Sequence, residues 1–421
     1  MSEDGVLDPD EVTSTRFICN GGNMVARVSN AQWGGVCQRG GVKVELGSDD
    51  NANGILDDPE VDQTQYVCNL FFVQIDLGGA HSCALISDGT ARCWGHNVEG
   101  ELGDGTRNGH ESPWVVSGLS QAVEISGGGG HTCARLTDGT VRCWGSNALG
   151  ELGDGTTIDR LTSVVVSGLN QVVGISAGDT HTCAVLADGT ARCWGYNQSG
   201  QLGDGTGISS STPVQVSGLS DVSVISAGSY HTCAVRTDGN PLCWGTNTHG
   251  QLGDGTNNLR LTPVPVSGLT GVSGISTSWG FTCANLIDGH AQCWGDNPYG
   301  QLGDGTTVGS LVPIAVAGLT RVATISVGSN HTCALRTSGE VRCWGQNLYG
   351  QLGDGSRDNS LTPVVATGLE TATELSSGSL HNCVLTPERY LCWGNNIAGQ
   401  LGDGTQIDRW VPTPGLWDIA P

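Results

Sequence analysis

Asp49, Asn51, Asn53, Asp57 and Glu60 occupy positions one, three, five, nine and twelve of the stretch DDNANGILDDPE, and oxygens at such alternate positions can curl around one hard cation. The backbone carbonyl of Ile55 adds a ligand at position seven and Gly54 supplies the sharp turn at position six, so the pattern predicts a calcium loop. Its flanks, VKVELG and VDQTQYVCN, read as strands rather than the two helices of a helix-loop-helix hand. The alternative is an Asx-rich hairpin turn that needs no metal. A partial copy at Glu3 to Gly21 retains only Asp4, Gly5, Asp8 and Glu11 and is expected not to bind alone.

Histidine, cysteine, tryptophan and aspartate form a second constellation. The stretch HTCARLTDGTVRCWG at His131 to Gly145 has counterparts beginning at His81, His181, His231, Phe281, His331 and His381, a constant step of fifty residues. Six histidines, seven LGDGT aspartates (Asp104 to Asp403) and seven CWG tryptophans (Trp94 to Trp393) resemble a catalytic inventory. Each recurs once per unit, however, so a ring of units carries them around its circumference and they cannot converge on one point outside a central channel. They are expected to satisfy turn groups and to pack between units. No Ser-His-Asp spacing, nucleophile elbow or phosphate loop stands beside them.

The element that must position these residues is a hairpin. HTCARL and VRCWG are short runs around the turn TDG, and a three-residue loop at Thr137, Asp138 and Gly139 closes a type I turn with a G1 bulge if Gly139 is left-handed. That register sets Cys133 opposite Cys143, and the same arithmetic pairs Cys83 with Cys93, Cys183 with Cys193, Cys233 with Cys243, Cys283 with Cys293 and Cys333 with Cys343. In the last unit the turn is TPER, one residue shorter; a two-residue loop at Pro387 and Glu388 keeps Cys383 opposite Cys392. Opposition retained through a deletion is what cross-strand disulfides require. Buried thiols packed as hydrophobes are the alternative, and zinc lacks its C-x-x-C spacing. Near the amino end, Cys37 and Cys68 are the natural mates, whereas a mate for Cys19 would precede residue 1. A truncated start, with a signal or lipid anchor lost, is the expectation.

Each unit reads as four strands, for example VEIS, HTCARL, VRCWG and SVVVSG; an open β-solenoid is the alternative, but with GLWDIAP beginning the pattern again in place of a polar capping repeat, seven small sheets are best protected as a closed ring. The fold class is therefore all-β: a seven-bladed β-propeller over 71–421, preceded by a truncated acidic half-module (1–22) and a complete calcium-loop module (23–70). Phe71 to Leu77 should meet Val411 to Ile419 where the ring closes, with Trp410 and Trp417 packed at the closure. With 67 glycines and no long amphipathic period, a helical protein is excluded. The net charge of −23, with Lys43 the only lysine, argues against nucleic acid as a partner. No run of eighteen apolar residues suggests a membrane span.

The units, typified by ISAGDTHTCAVLADGTARCWGYNQSGQLGDGT at Ile175 to Thr206, resemble the repeats named after the regulator of chromosome condensation. The resemblance covers all seven units and implies a seven-bladed propeller. The founding member's nucleotide-exchange role relies on an inserted β-wing for which the even spacing leaves no room. The nearer analogues in kind are secreted bacterial members such as the β-lactamase inhibitor protein of this propeller type, which presents one face to another protein.

Positions that vary between units are the better guide to a partner. Tyr196, Tyr230, His249, Trp279, Phe281, Tyr299 and Tyr349 fall in loop columns or break the pattern, unit five most of all with STSWGFTC. Aromatics on loops of a rigid ring suit a binding hot spot, although ordinary loop variation would also place them there. The sequence thus predicts a secreted or cell-surface, monomeric, non-catalytic scaffold for a protein or glycan partner, with calcium in its amino-terminal module. The alternatives are a hydrolase or lyase at the propeller mouth and a purely structural surface module.

Overall fold

The computed structural model describes residues 24–31, 41–48, 61–68 and 70–416. The chain divides into two compact units, Met1–Phe71 with Pro421, and Phe72–Ala420. In the first, β1 (Met24–Ala31), β2 (Gly41–Ser48) and β3 (Val61–Cys68) form an antiparallel sheet in that order. Leu46 faces Gln63 and Gly41 faces Cys68, so both flanks of the calcium-type sequence are strands, as expected. The loop itself (Asp49, Asn51, Asn53, Ile55, Asp57, Glu60) and the Cys37–Cys68 pairing lie outside the described residues and side chains.

The second unit is a ring of seven four-stranded sheets. The first blade comprises β4 (Phe72–Leu77), β5 (His81–Ile86), β6 (Ala91–Gly95) and β7 (His110–Val115). Blades 2 to 7 follow over 122–165, 172–215, 222–265, 272–315, 322–365 and 374–414. Among the described residues every blade uses four consecutive strands, and none of these strands crosses the closure between the first and seventh blades. The first strands line a central channel with about 160 Å³ of free space, walled by Asp76, six serines at Ser126 to Ser376, and glycine-rich backbone.

Gly139 has φ +76°, Leu136 N donates to Thr140 O at 2.9 Å, and Cys133 faces Cys143. The Asp138 carboxylate accepts the N–H and hydroxyl of Thr140, which locks the turn. In blade 7 Thr386 N donates to Arg389 O and Cys383 faces Cys392 across the shortened loop. All seven hairpin pairs are disulfide-bonded with Cα atoms 4.1 Å apart, near the spacing of non-hydrogen-bonded antiparallel pairs.

Neighbouring blades meet in apolar seams. Cys83, Cys93, Leu102 and Val116 of blade 1 pack with Ile125, Ala134 and Trp144 of blade 2, all buried. The indole Nε1 of Trp144 donates to Glu101 O at 2.8 Å, so the tryptophan fills the seam and crosses it with one hydrogen bond. Gly153, with φ +65°, leaves room for the next tryptophan: a Cβ there would lie 2.7 Å from Trp194 Nε1.

The histidines cross the same seams. His81 Nε2 lies 2.9 Å from Thr132 Oγ1, and that hydroxyl donates its one proton to Glu101 O. The histidine must therefore be the donor, with its proton on Nε2 and a bare Nδ1. His131, His181 and His231 repeat this against Thr182, Thr232 and Thr282. His331 donates to Asn382 Oδ1, and His381 donates to Ser82 Oγ, which closes the ring. None of these Nδ1 atoms has a partner. Burial holds the imidazoles far below their ordinary range, at about 3 for His81, His131, His181, His231 and His381 and about 4 for His331, so they are neutral struts.

A second belt of bonds lies nearer the axis. Ser126 Oγ accepts the N–H of Ala177 in the next blade, and Ser176, Ser226, Ser276, Ser326 and Ser376 accept those of Ala227, Thr277, Val327, Ser377 and Leu77. Asp76 completes the belt by accepting Gly127 N. At the closure Tyr390 stacks edge-on to Phe72 at 5.4 Å, and its hydroxyl lies 3.2 Å from Gly402 O and 3.3 Å from Leu416 O. The termini thus meet through Tyr390 rather than through Trp410. That indole is half-exposed beneath the Arg357 guanidinium of blade 6, and Trp417 lies outside the described residues.

Candidate functional site

Strand direction puts two sets of loops on one face of the ring. Each first strand ends, and each second strand begins, at a tight turn such as 78–80; the third strand then returns to the same face and opens the loop 96–109. The link is direct: His96 N donates to Ala80 O, and Asp296 N to Gly280 O. All the variable aromatic columns therefore share this face.

Six of the seven residues expected at a partner surface are there. Trp279 is 47% exposed and Tyr230 37%, His249 is exposed, and Tyr196, Tyr299 and Tyr349 are half-buried. Phe281 is not: it is 0% exposed and packs with Cys283, Leu302 and Trp344 in the seam between blades 5 and 6. The histidine it replaces points into the seam in every other blade, so its substitute does too. The expectation for Phe281 is corrected to a core role.

The aromatics gather in two groups. Tyr196 and Tyr230 meet edge-on at 6.3 Å on blades 3 and 4. His249 of blade 4 lies 5.3 Å from Trp279 of blade 5, with Nδ1 3.8 Å from an Asp296 carboxylate oxygen. Beside Trp279 opens a cup of about 420 Å³ lined by Asp179, Trp279, Asp296, Pro298, Tyr299, Ser329 and Asn330. Asp179 and Ser329 also line the channel, so the cup is a widening of the channel mouth. The Asp179 carboxylate accepts the Ser229 hydroxyl; its side chain is exposed at the channel mouth, but the ring packed around it desolvates the carboxyl and pushes it up. Tyr349 has no ring contact with either group among the described residues.

Sequence reasoning missed Asp179 as a site residue. Its signal is an aspartate in the column Gly79, Gly129, Ser229, Trp279, Ser329 and Ser379, next to the residue preceding the histidine. Asp76 and Glu374, in the first strands of blades 1 and 7, were likewise not singled out. Glu374 accepts Ile75 N at 3.1 Å, and burial, with the nearby Asp76 charge adding to it, raises its carboxyl to about 8.

The recurrent aspartates are structural. Asp154 accepts Thr156 N and Asn147 Nδ2 and pairs with Arg160 at 2.7 Å. Burial opposes ionisation there, but the Thr156 and Arg160 hydrogen bonds outweigh it and hold the carboxyl below its usual range. Among the described residues, His96, Glu99 and Glu101 offer three metal-ligand atoms within 4.8 Å of one another. The 2.6 Å contact between His96 Nδ1 and Glu101 is a hydrogen bond that already pairs the buried carboxylate.

Fold and face together define a class: a seven-bladed propeller whose recurring residues build seams and whose variable residues collect on one face. The RCC1-like domain family model matches residues 31–301, and the chain belongs to that family. Models of the regulator of chromosome condensation (RCC1) repeat match 288–335 and 338–385, and another 322–351. Yeast RCC1 (Prp20), solved bound to Kap60, is similar with TM-score 0.69 and 21% identity, covering 78% of this chain and 83% of that one. Human WBSCR16 is similar with TM-score 0.70 and 22% identity, covering 78% and 94%. At such identities the likeness establishes the fold. No curated protein matches the sequence.

Proposed function

We propose that the chain is an exported, non-catalytic recognition scaffold that engages a partner through the channel-mouth face of its propeller. The observation that carries this reading is the half-exposed Trp279 ring beside a 420 Å³ cup on a ring whose seams are closed by hydrogen bonds. Ligand cavities usually measure about 300–1,000 Å³, and exposed aromatics on a rigid base are the usual anchors of interfaces. Yeast RCC1 was solved in a complex with another protein, which agrees with a protein-binding role for such propellers. Export rests on the seven disulfides, since such bonds persist in oxidising compartments. The likeness in kind to secreted bacterial members, and calcium at Asp49 to Glu60, rest on sequence pattern alone. No helix among the described residues is long and apolar enough to cross a membrane.

One observation favours a second reading, a hydrolase or lyase: Asp179 and Asp296, from blades 3 and 5, line the same cavity. Recognition is preferred because the two carboxylates share no hydroxyl and base: Asp179 accepts the Ser229 hydroxyl, while the imidazole nearest Asp296, that of His249, lies 3.8 Å away and beyond hydrogen-bond reach. Screening the intact chain and a Trp279→Ala/Tyr299→Ala variant on peptide and glycan arrays tests the reading. Ligands retained by the intact chain and lost by the variant are expected; binding that ignores both substitutions sinks the assignment of this face. Turnover of an array ligand, abolished by Asp179→Asn, would establish the enzyme instead.

A further inference from the structure

We propose that the cup beside Trp279 takes a cationic side chain, lysine or arginine, from a protein partner. This assignment rests on the recognition reading and specifies the chemistry of what is recognised. Of the seven residues that line the cup, Asp179 and Asp296 are carboxylates, Trp279 and Tyr299 are aromatic, and none is lysine or arginine. Asp296 has one nearby basic group, His249, at 3.8 Å, beyond hydrogen-bond reach. Asp179 accepts the Ser229 hydroxyl on Oδ2 and leaves Oδ1 open. The cup therefore presents an excess of acceptors and negative charge beside half-exposed aromatic surface.

A cation satisfies both features at once. It forms charge-assisted hydrogen bonds with the carboxylates, while an aromatic face attracts it through the ring quadrupole. A neutral sugar could stack on the indole and donate hydroxyls to the carboxylates, but it brings no counter-charge to two carboxylates gathered at one mouth, and a cation does. An anion would be repelled. The chain's net charge of −23 also draws basic partners towards the surface. The cup opens at the channel mouth and none of the belt serines lines it, so a long side chain can seat its tip there without entering the serine belt. Lysine and arginine carry such tips on slender apolar stems, which can lie along Trp279.

The probes are N-acetyl-argininamide and N-acetyl-lysinamide, with N-acetyl-citrullinamide as the uncharged shape match and cellobiose as the neutral sugar. Each is titrated into the intact chain by calorimetry, and the Trp279 indole resonance, identified by its loss in Trp279→Phe, reports the location. The expected result is that the cationic probes shift this resonance and bind at least roughly tenfold more tightly than citrullinamide, a gap of the size charge-assisted bonds give. Asp179→Asn and Asp296→Asn should each weaken the cationic probes by roughly tenfold while leaving citrullinamide unchanged. Added salt should weaken only the cations. Equal binding of citrullinamide or cellobiose, lost with Trp279, overturns the cationic assignment while the recognition face stands. Cationic probes that leave the Trp279 resonance unmoved overturn the assignment too. Failure of the wider reading is read separately, from array ligands that ignore Trp279→Ala/Tyr299→Ala. Thermal melts of each variant confirm that the ring is intact.

Discussion

The seam between blades 4 and 5 is crossed by His231, which donates to Thr282; the next seam is filled by Phe281, whose ring donates nothing. Thr332 there still donates to Gln301 O at 2.9 Å, and Trp344 still crosses to the same carbonyl. One seam has thus exchanged a hydrogen bond for apolar packing without altering the blade. Two residues away, Trp279 stands half-exposed on the outer face. The interior repeats one solution and tolerates an isolated substitute, whereas the face at the same place in the chain carries what distinguishes the blade.

Acid gives the largest expected break between the histidine seams and the phenylalanine seam. Six imidazoles have folded values of about 3 to 4 against 6.5 when unfolded, so below pH 6.5 the unfolded chain binds protons that the folded ring excludes. Their stabilisation is complete above pH 6.5 and falls towards pH 3, by up to about 1.4 kcal/mol per histidine per pH unit. Denaturant unfolding at pH 7.5, 6 and 5 should show this steep loss, and His231→Phe should make it shallower. A pH-independent midpoint would refute the neutral-strut account.

Removing one disulfide by Cys183→Ala/Cys193→Ala should cost about 3 kcal/mol, from the short loop it closes. Calorimetry of the variant measures the loss. Glu374→Gln should act in the opposite direction. The carboxyl is raised to about 8, so its contribution is fully present below its ordinary 4.5 and is lost as pH rises through 8. The amide keeps the acceptor for Ile75 N, as Gln74 does for Ile125 N. A gain of about 1–3 kcal/mol is expected at pH 7, and none at pH 4.

Phe281→His sharpens the comparison at its centre. It should restore a donor to Thr332 while sacrificing apolar volume, so stability should stay within about 1 kcal/mol of the parent. A much larger loss would show that blade 5 has adapted its seam to the ring. Trp279→Ala is the smallest structural perturbation, within about 0.5 kcal/mol as expected of a surface position. Its consequence should appear in ligand binding alone.

Much of the fold was legible because its determinants are local. The Thr137–Gly139 turn sets the strand register, that register opposes the cysteines, and the TPER deletion preserves the opposition; no distant contact enters the argument. Site residues were legible only in part. Trp279, His249, Tyr230 and Tyr299 stood out as variable aromatics, but variability does not reveal direction. Phe281 varies as they do, yet begins a second strand whose first side chain faces the neighbouring blade. Trp410 was misassigned to the closure because proximity to a terminus in sequence does not say which seam a side chain meets; Tyr390, inside an ordinary third strand, holds the ends instead.

The amino-acid sequence alone determined the repeat, the hairpin and the cysteine pairing, because each depends on spacings within one blade. Only the tertiary structure decided which blades' residues meet. Closing the ring sets each histidine against the hydroxyl or amide 51 residues onward, or against Ser82 at the closure. It also brings Asp179 of blade 3 to the same cavity as Trp279 and Asp296 of blade 5. The physical reason is radial geometry: turns far apart along the chain converge on a narrow mouth, and no local spacing records that convergence.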